Sequence, residues 1–183
     1  MSLLREPTLY TIKAIIILDN DGNRMIAKYF DDIFPTTKEQ RQWEKNLFNK
    51  THRASSEITI LDNLTIVYRG NVDLFFYVVG SSSENELILQ SVLTTLYDSV
   101  NSLLKKNVEK SCLLDNMDSI CLILDEICDQ GIILENDYQT IASRCALKGD
   151  DISLGEQTVA QVRDYKTLSY YYFIAKTEEL YEF

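Results

Sequence analysis

The sequence predicts an α+β fold in which one antiparallel sheet of about five strands carries helices on both faces, an α/β/α layering. Three observations lead to this prediction. A tight turn joins two strand-like segments near the start, three more strands follow in quick order, and amphipathic helices come after them. Two-residue turns force antiparallel pairing, because a parallel crossover needs about a dozen residues or more.

The first hairpin is predicted from Leu9 to Phe30. Residues 9–18 become apolar on both sides toward their end, which is typical of a strand buried on both faces. Residues 20–23 (NDGN) contain an Asp-Gly pair, which favours the positive φ of a primed turn. Residues 24–30 then return to a strand pattern, so the two segments are expected to pair.

A first helix is predicted from Pro35 to about His52. After Pro35, a threonine hydroxyl is followed three residues later by Glu39 or Gln40, which is the capping-box pattern. His52 is the only histidine. We interpret it as a helix-end residue, where a cation is favoured, because no Ser, Cys or Asp partner can be placed beside it.

Three further strands are predicted at Glu57–Leu61, Leu64–Arg69 and Val72–Gly80. Their connections, Asp62-Asn63 and Gly70-Asn71, are too short for anything but antiparallel turns. The last of the three is apolar on both sides, so it is expected to be an inner strand.

The later helices supply the covering layers. Ser83 and Glu86 form a capping-box pattern before an apolar stripe of about 23 residues. A second helix is predicted from Asn116, with Cys121 and Cys128 on its buried face, to a terminating Gly131. A short helix follows over residues 137–147. The helix of residues 35–52 is expected on one face of the sheet and the later helices on the other.

Composition indicates one soluble cytosolic domain. The chain has 183 residues and a net charge of −10, with no linker-like tract. No apolar run approaches the roughly 18 residues of a membrane span, and the first residues do not resemble a secretory signal. Cysteine usage agrees, since no Cys-x-x-Cys pair occurs and buried free thiols are predicted, with no metal or cofactor. The four cysteines are Cys112, Cys121, Cys128 and Cys145.

The charge is unevenly distributed. Residues 1–53 hold nine Lys or Arg against seven Asp or Glu, so the excess of acid lies in the rest of the chain. We interpret the basic face of the predicted helix as solvated, and expect no independent binding to nucleic acid or an anionic membrane. This face comprises Lys38, Arg41, Lys45, Lys50 and Arg53.

A competing hypothesis starts from residues 15–22, IIILDNDG. This segment is similar to the nucleophile loop of haloacid-dehalogenase-type phosphatases, with Ser81, Lys110 and residues 149–151 (GDD) as its later motifs. Under this hypothesis Asp19 attacks phosphorus, Asp21 is the acid/base, and Asp150 and Asp151 bind magnesium.

Three observations weigh against the phosphatase. Such enzymes need a parallel doubly wound sheet, whereas residues 57–80 predict antiparallel strands. The segment before Gly149, ASRCALK, is helical where a buried strand is needed, and Asn23 stands where a Thr is usual. Short motifs outside their structural context carry little weight.

Longer segments resemble a different family. LYTIKAIIILDNDGNR, SEITILDNLTIVYRG and NVEKSCLLDNMDSICLILDEICDQGIILEND occur in this order. Between about residues 8 and 162 the chain closely resembles the zeta subunits of coatomer, the coat of COPI vesicles. It is more broadly similar to the sigma subunits of clathrin adaptors, which share the pattern of Asp125-Glu126 followed by Gly131-Ile132.

The resemblance implies a longin-like fold and a non-catalytic structural role without a cofactor. Zeta subunits bind the trunk of the large gamma subunit, and a GTP-bound Arf-family GTPase recruits the coat to Golgi membranes for transport toward the endoplasmic reticulum. Asp19 and Asp21 would then serve a turn. No cargo-binding or partner-binding residue is assigned, because no distinct motif of this chain marks such a pocket.

Two segments are therefore expected, a longin-like domain over residues 1–162 and a divergent tail over residues 163–183. The tail contains an aromatic, strand-prone window, Tyr170–Ile174. Packing on a partner, poor order and a variant transcript end remain open explanations for it.

Overall fold

The computed structural model describes residues 11–53 and 57–150, with side chains described up to residue 145. The aromatic window at Tyr170–Ile174 and the predicted boundary at residue 162 lie outside these residues. The described elements are β1 (Ile12–Asp19), β2 (Arg24–Tyr29), α1 (Thr37–Thr51), β3 (Ile58–Leu61), β4 (Leu64–Gly70), β5 (Leu74–Ser81), α2 (Glu86–Leu103), α3 (Lys110–Asp115), α4 (Met117–Ile127), β6 (Cys128–Asp129), β7 (Ile132–Ile133) and α5 (Tyr138–Asp150).

The predicted sheet is confirmed. Five strands lie in the order β2-β1-β5-β4-β3, and every neighbouring pair is antiparallel. The two most apolar segments, β1 and β5, are adjacent at the centre, as expected of strands buried on both faces. Asp62 and Asn63 both have positive φ, 52° and 62°, so the β3–β4 turn is of the primed type that suits a hairpin.

Helices cover both faces of the sheet, also as predicted. On one face, α1 buries Trp43, Leu47 and Phe48 against alternate residues of β1, β4 and β5. On the other, α2 lies directly on β4 and β5, and α4 and α5 pack against α2. Each sheet face thus has its own apolar core.

The predicted start of α1 is confirmed at atomic detail. Thr36 is the N-cap, its hydroxyl accepts from the Glu39 amide, and the Glu39 carboxylate accepts from the Thr36 amide. These bonds satisfy two backbone donors that a helix start otherwise leaves unpaired. The helix ends at Thr51 with His52 as its C-cap, which agrees with the helix-end interpretation of the histidine.

The predicted limits of the other helices need correction. Asn85, and not Ser83, caps α2, and the helix ends at Leu103, before Lys105 and Lys106, which have positive φ. The short α3 was not predicted, because its six residues show too little periodicity. These differences lie at element ends, where local patterns are weakest.

The segment around Gly131 also differs from the prediction. α4 ends at Ile127, and residues 128–133 form a small hairpin, so Gly131 lies in a β-turn and does not end the helix. Gly131 has a φ of 84°, and its carbonyl accepts the Ile12 amide. A Cβ atom at Gly131 would lie 2.6 Å from the Ile12 carbonyl oxygen, so the close approach to β1 requires glycine.

No helix in the described part of the chain is long and apolar enough to cross a membrane.

Candidate functional site

The loop from Asp19 to Asn23 closes the β1–β2 hairpin. The Asp19 amide donates to the Asn23 carbonyl, the Gly22 amide donates to the Asp19 carbonyl, and Gly22 has a φ of 79°. The register between the two strands shifts at Ile17/Leu18 just before the turn. The expectation that this acidic segment serves a turn is consistent with its backbone bonding.

The Asp19 carboxylate is fully buried and fully engaged. Its Oδ1 accepts the backbone amides of Asp21 and Asn23 at 3.0 and 2.7 Å. Its Oδ2 accepts the Asn23 side-chain amide at 3.1 Å and the Lys110 ammonium at 2.7 Å. Burial acts to raise the pKa of Asp19, but the Lys110 and turn hydrogen bonds together outweigh it and lower the pKa to about 2.

This arrangement does not suit a nucleophile on phosphorus. Both Asp19 oxygens accept two hydrogen bonds, so no lone pair is left directed at a substrate, and Asp21 points to solvent. Of the proposed phosphatase residues with described side chains, Asp19 and Lys110 form a structural ion pair that tethers the start of α3 to the hairpin.

The remaining phosphatase motifs are misplaced or undescribed. β1 and β5 are antiparallel, with Asp19 opposite Leu74 and Ile12 opposite Gly80. Ser81 therefore lies at the far end of the sheet, about 23 Å from Asp19 at 3.3 Å per strand residue. Gly149 lies in α5 and not after a strand, and neither carboxylate of Asp150 and Asp151 is among the described side chains.

A second polar cluster, which the sequence analysis missed, joins α1 to β2. Glu44 is buried, and its carboxylate lies 2.7 Å from an Arg24 guanidinium nitrogen and accepts from the Arg24 Nε and the Tyr29 hydroxyl, each at 2.9 Å. Burial and the Glu44 charge raise the pKa of Tyr29 far above its ordinary value. A glutamate at an apolar helix position was the available signal, since Glu44 follows Trp43 on the inward side of α1.

The cysteines are less uniformly buried than predicted. Cys128 and Cys145 are buried, whereas Cys112 and Cys121 are only half-buried. Burial raises the pKa of the Cys121 thiol, and that of Cys128 to about 11, which disfavours the reactive thiolate. Over the residues with described positions, no group of three His, Cys, Asp or Glu side chains is placed to hold a metal ion.

Two surface features of the sheet region are available to a partner. At the β3 edge, Ile58 and Ile60 are 44% and 61% exposed, and Lys50 donates to the Ile60 carbonyl. On the opposite side of α1 from the sheet, Lys38, Arg41 and Lys45 are exposed.

The fold agrees with sequence relationships. Residues 11–151 match the clathrin adaptor complex small chain family, and the chain belongs to that family. Within it, the chain groups with the coatomer zeta subunits. It is 58% identical to coatomer subunit zeta-1 of Homo sapiens over 161 residues, which cover 88% of this chain and 91% of the relative.

Other relatives and one structural neighbour agree. Coatomer subunit zeta-2 of Homo sapiens is 59% identical, with coverage of 87% of this chain and 76% of that protein. Coatomer subunit zeta-2 of Arabidopsis thaliana is 45% identical, with coverage of 82% and 87%. A chain in a homology model of the full-length AP-3 complex in a stretched open conformation superposes with a TM-score of 0.62 at 16% identity, covering 85% of this chain and 98% of that one. This last similarity supports the fold alone.

Proposed function

We propose that the chain is a non-catalytic structural subunit of the coatomer coat that pairs with the trunk of the large gamma subunit. The observation that carries this proposal is the 58% identity to coatomer subunit zeta-1 across 88% of the chain. The match to the clathrin adaptor complex small chain family runs over residues 11–151, which include the whole described sheet and its covering helices.

In this role the chain acts on the cytosolic face of Golgi membranes as a peripheral coat component. A GTP-bound Arf-family GTPase recruits the coat, and the coat carries cargo within the Golgi and back to the endoplasmic reticulum. Membrane affinity then comes from the assembled coat, which fits a chain with a net charge of −10.

The β3 edge supports a protein interface. Obligate interfaces are large and partly apolar, and the exposed Ile58 and Ile60 side chains offer apolar surface beside an edge strand. β3 has only four residues, and a short edge strand limits unspecific pairing while leaving a specific partner room to pack.

The state of Asp19 supports a non-catalytic role. Its carboxylate is buried, bonded at both oxygens and held in the ionised form by Lys110 and the turn amides. A general acid or base working near neutral pH needs a pKa close to that pH, whereas the pKa of Asp19 is about 2.

Co-expression with a coatomer gamma-subunit trunk, followed by size-exclusion chromatography, tests the proposal. We expect the two proteins to co-elute as a one-to-one complex. Ile60→Asp is expected to weaken co-elution, whereas Ile33→Asp, at an exposed isoleucine outside the sheet, serves as the matched control.

A magnesium-dependent phosphatase assay on the chain and on Asp19→Asn runs in parallel. We expect no hydrolysis from either. A chain that remains alone on the column and hydrolyses phosphate in an Asp19-dependent way would overturn the proposed function.

A further inference from the structure

The outer face of α1, defined as Lys38, Arg41, Gln42 and Lys45, carries an unusual concentration of positive charge. All four side chains point to solvent, and with Thr37 they line a shallow groove of about 350 Å³. None of the three cations has an ion pair or hydrogen bond to another described residue. The protein as a whole has a net charge of −10, so the charge of this face is opposite in sign to the net charge of the protein.

Five of the ten other cations with described side chains form an ion pair with a carboxylate of the described residues. Lys13 pairs with Asp31, and Lys28 with Asp125. The same is true of Arg24, Lys110 and Arg144.

The acidic residues of α1 are committed elsewhere. Glu39 completes the capping box, and Glu44 is turned inward to Arg24 and Tyr29. Arg41 therefore has Lys38 and Lys45 as its neighbours three and four residues away, and like charges at these spacings destabilise a helix. This cluster of like charges does not stabilise the folded domain. It therefore indicates that the carboxylates that neutralise these cations belong to another molecule.

The shape of the face favours a protein partner over a membrane. An interfacial helix inserts apolar side chains into the headgroup region, but the apolar side of α1 is buried against the sheet and the outer side has polar and charged side chains. The acidic remainder of the chain would also be repelled by anionic lipid. Lys38 and Lys45 lie seven residues apart, about 10 Å along the helix, a spacing that carboxylates on a neighbouring helix can match.

We propose that the outer face of α1 is a docking surface for an acidic segment of a partner protein, whose carboxylates pair with Lys38, Arg41 and Lys45. Arg41, at the centre, can hold one carboxylate with two parallel hydrogen bonds. That the partner is another coat subunit rests on the proposed function, whereas the chemistry of the surface does not.

Titration of the full chain with a glutamate-rich helical peptide of about 15 residues tests the surface directly. We expect amide shifts confined to α1 in the two-dimensional NMR spectrum, and binding that weakens with salt. Lys38→Glu/Arg41→Glu/Lys45→Glu is expected to lower the affinity by about tenfold, since three exposed pairs are each worth a fraction of a kcal/mol.

The matched control is Arg53→Glu/Lys105→Glu/Lys106→Glu, which changes the net charge equally at exposed cations outside this face. Equal loss in both variants, or shifts outside α1, would overturn the proposal. If the wild-type chain floats with phosphatidylserine vesicles and only the α1 variant abolishes flotation, the ligand of this face is an anionic membrane and the proposal of a protein partner is wrong. If the chain self-associates and only the α1 variant abolishes self-association, the occupant of this face is a second copy of the chain, and the proposal of a different partner protein is wrong.

The gamma-trunk assay separates this inference from the proposed function. If wild type and both triple variants co-elute with the trunk but no chain binds the peptide, the docking proposal fails and the coat role stands. If no chain co-elutes with the trunk but the peptide binds α1, the coat role fails and the docking surface stands.

Discussion

The two faces of the sheet are covered by different chemistry. Against α1 the core mixes aromatic with aliphatic side chains, and Trp43, Tyr68 and Tyr77 pack near a Thr51–Tyr77 hydroxyl hydrogen bond of 2.9 Å. Against α2, α4 and α5 the core is larger and mainly aliphatic. Both faces contain buried polar atoms without a partner among the described atoms, Trp43 Nε1 and the Tyr68 hydroxyl on the α1 side and the Ser99 hydroxyl on the other.

The difference shows two ways to hold a helix on a sheet. Three helices sharing a broad aliphatic surface are held by non-directional burial, which scales with apolar area. Among the described helices, only α1 covers the other face, and the Glu44 contacts to Arg24 and Tyr29 add directional bonds that fix its orientation. Fixing α1 also fixes the direction of its basic outer face.

The largest effect is expected from the aliphatic face. Leu96→Ala removes a fully buried side chain between α2 and the sheet, and we expect a loss of about 3 kcal/mol in the free energy of unfolding because a cavity remains. Urea unfolding measures it, with the exposed Thr94→Ala on the same helix as control. A loss below about 1 kcal/mol would mean that the face collapses around the gap.

Glu44→Gln breaks the directional contacts on the α1 face. The amide can still accept from Tyr29, but Arg24 loses its carboxylate, so we expect about 2 kcal/mol of destabilisation. Glu57→Gln, at an exposed glutamate, is the matched control. Equal stability of the Glu44 variant and wild type in urea would show that orientation, and not stability, is what the contacts provide.

Asp19→Asn is expected to change the acid response. The folded pKa of Asp19, about 2, lies below its ordinary value of 3.8, so the ionised form stabilises the fold above about pH 4 and this contribution disappears as pH falls toward 2. The contribution is about 2 kcal/mol at neutral pH. Unfolding in urea at pH 5, 4 and 3 should show a shallower pH dependence for Asp19→Asn than for wild type. Parallel curves would contradict the assignment.

The smallest effect is expected at the start of α1. Thr36→Ala removes the capping hydroxyl and should cost about 1 kcal/mol, whereas Thr37→Ala, one residue inside the helix, should cost much less. Thermal unfolding of the two variants compares adjacent hydroxyls directly. The reverse order would show that the capping box contributes little in solution.

The elements with strong periodicity or turn chemistry could be predicted from sequence. The five strands, the capping box of α1 and the terminal position of His52 all follow from local patterns, and the structure confirms them. The short α3 and the β6–β7 hairpin could not, because segments of two to six residues carry too little pattern.

The DNDG segment, residues 19–22, shows the same difference between what local patterns predict and what the tertiary structure adds. The sequence by itself determined that an acidic turn follows a buried strand, and long matching segments indicated the coat-subunit family over the phosphatase. Only the tertiary structure decided what the carboxylate of Asp19 does, because its bond to Lys110 joins residues 91 positions apart. Contacts of that kind depend on how helices and strands are brought together in space, which local patterns do not encode.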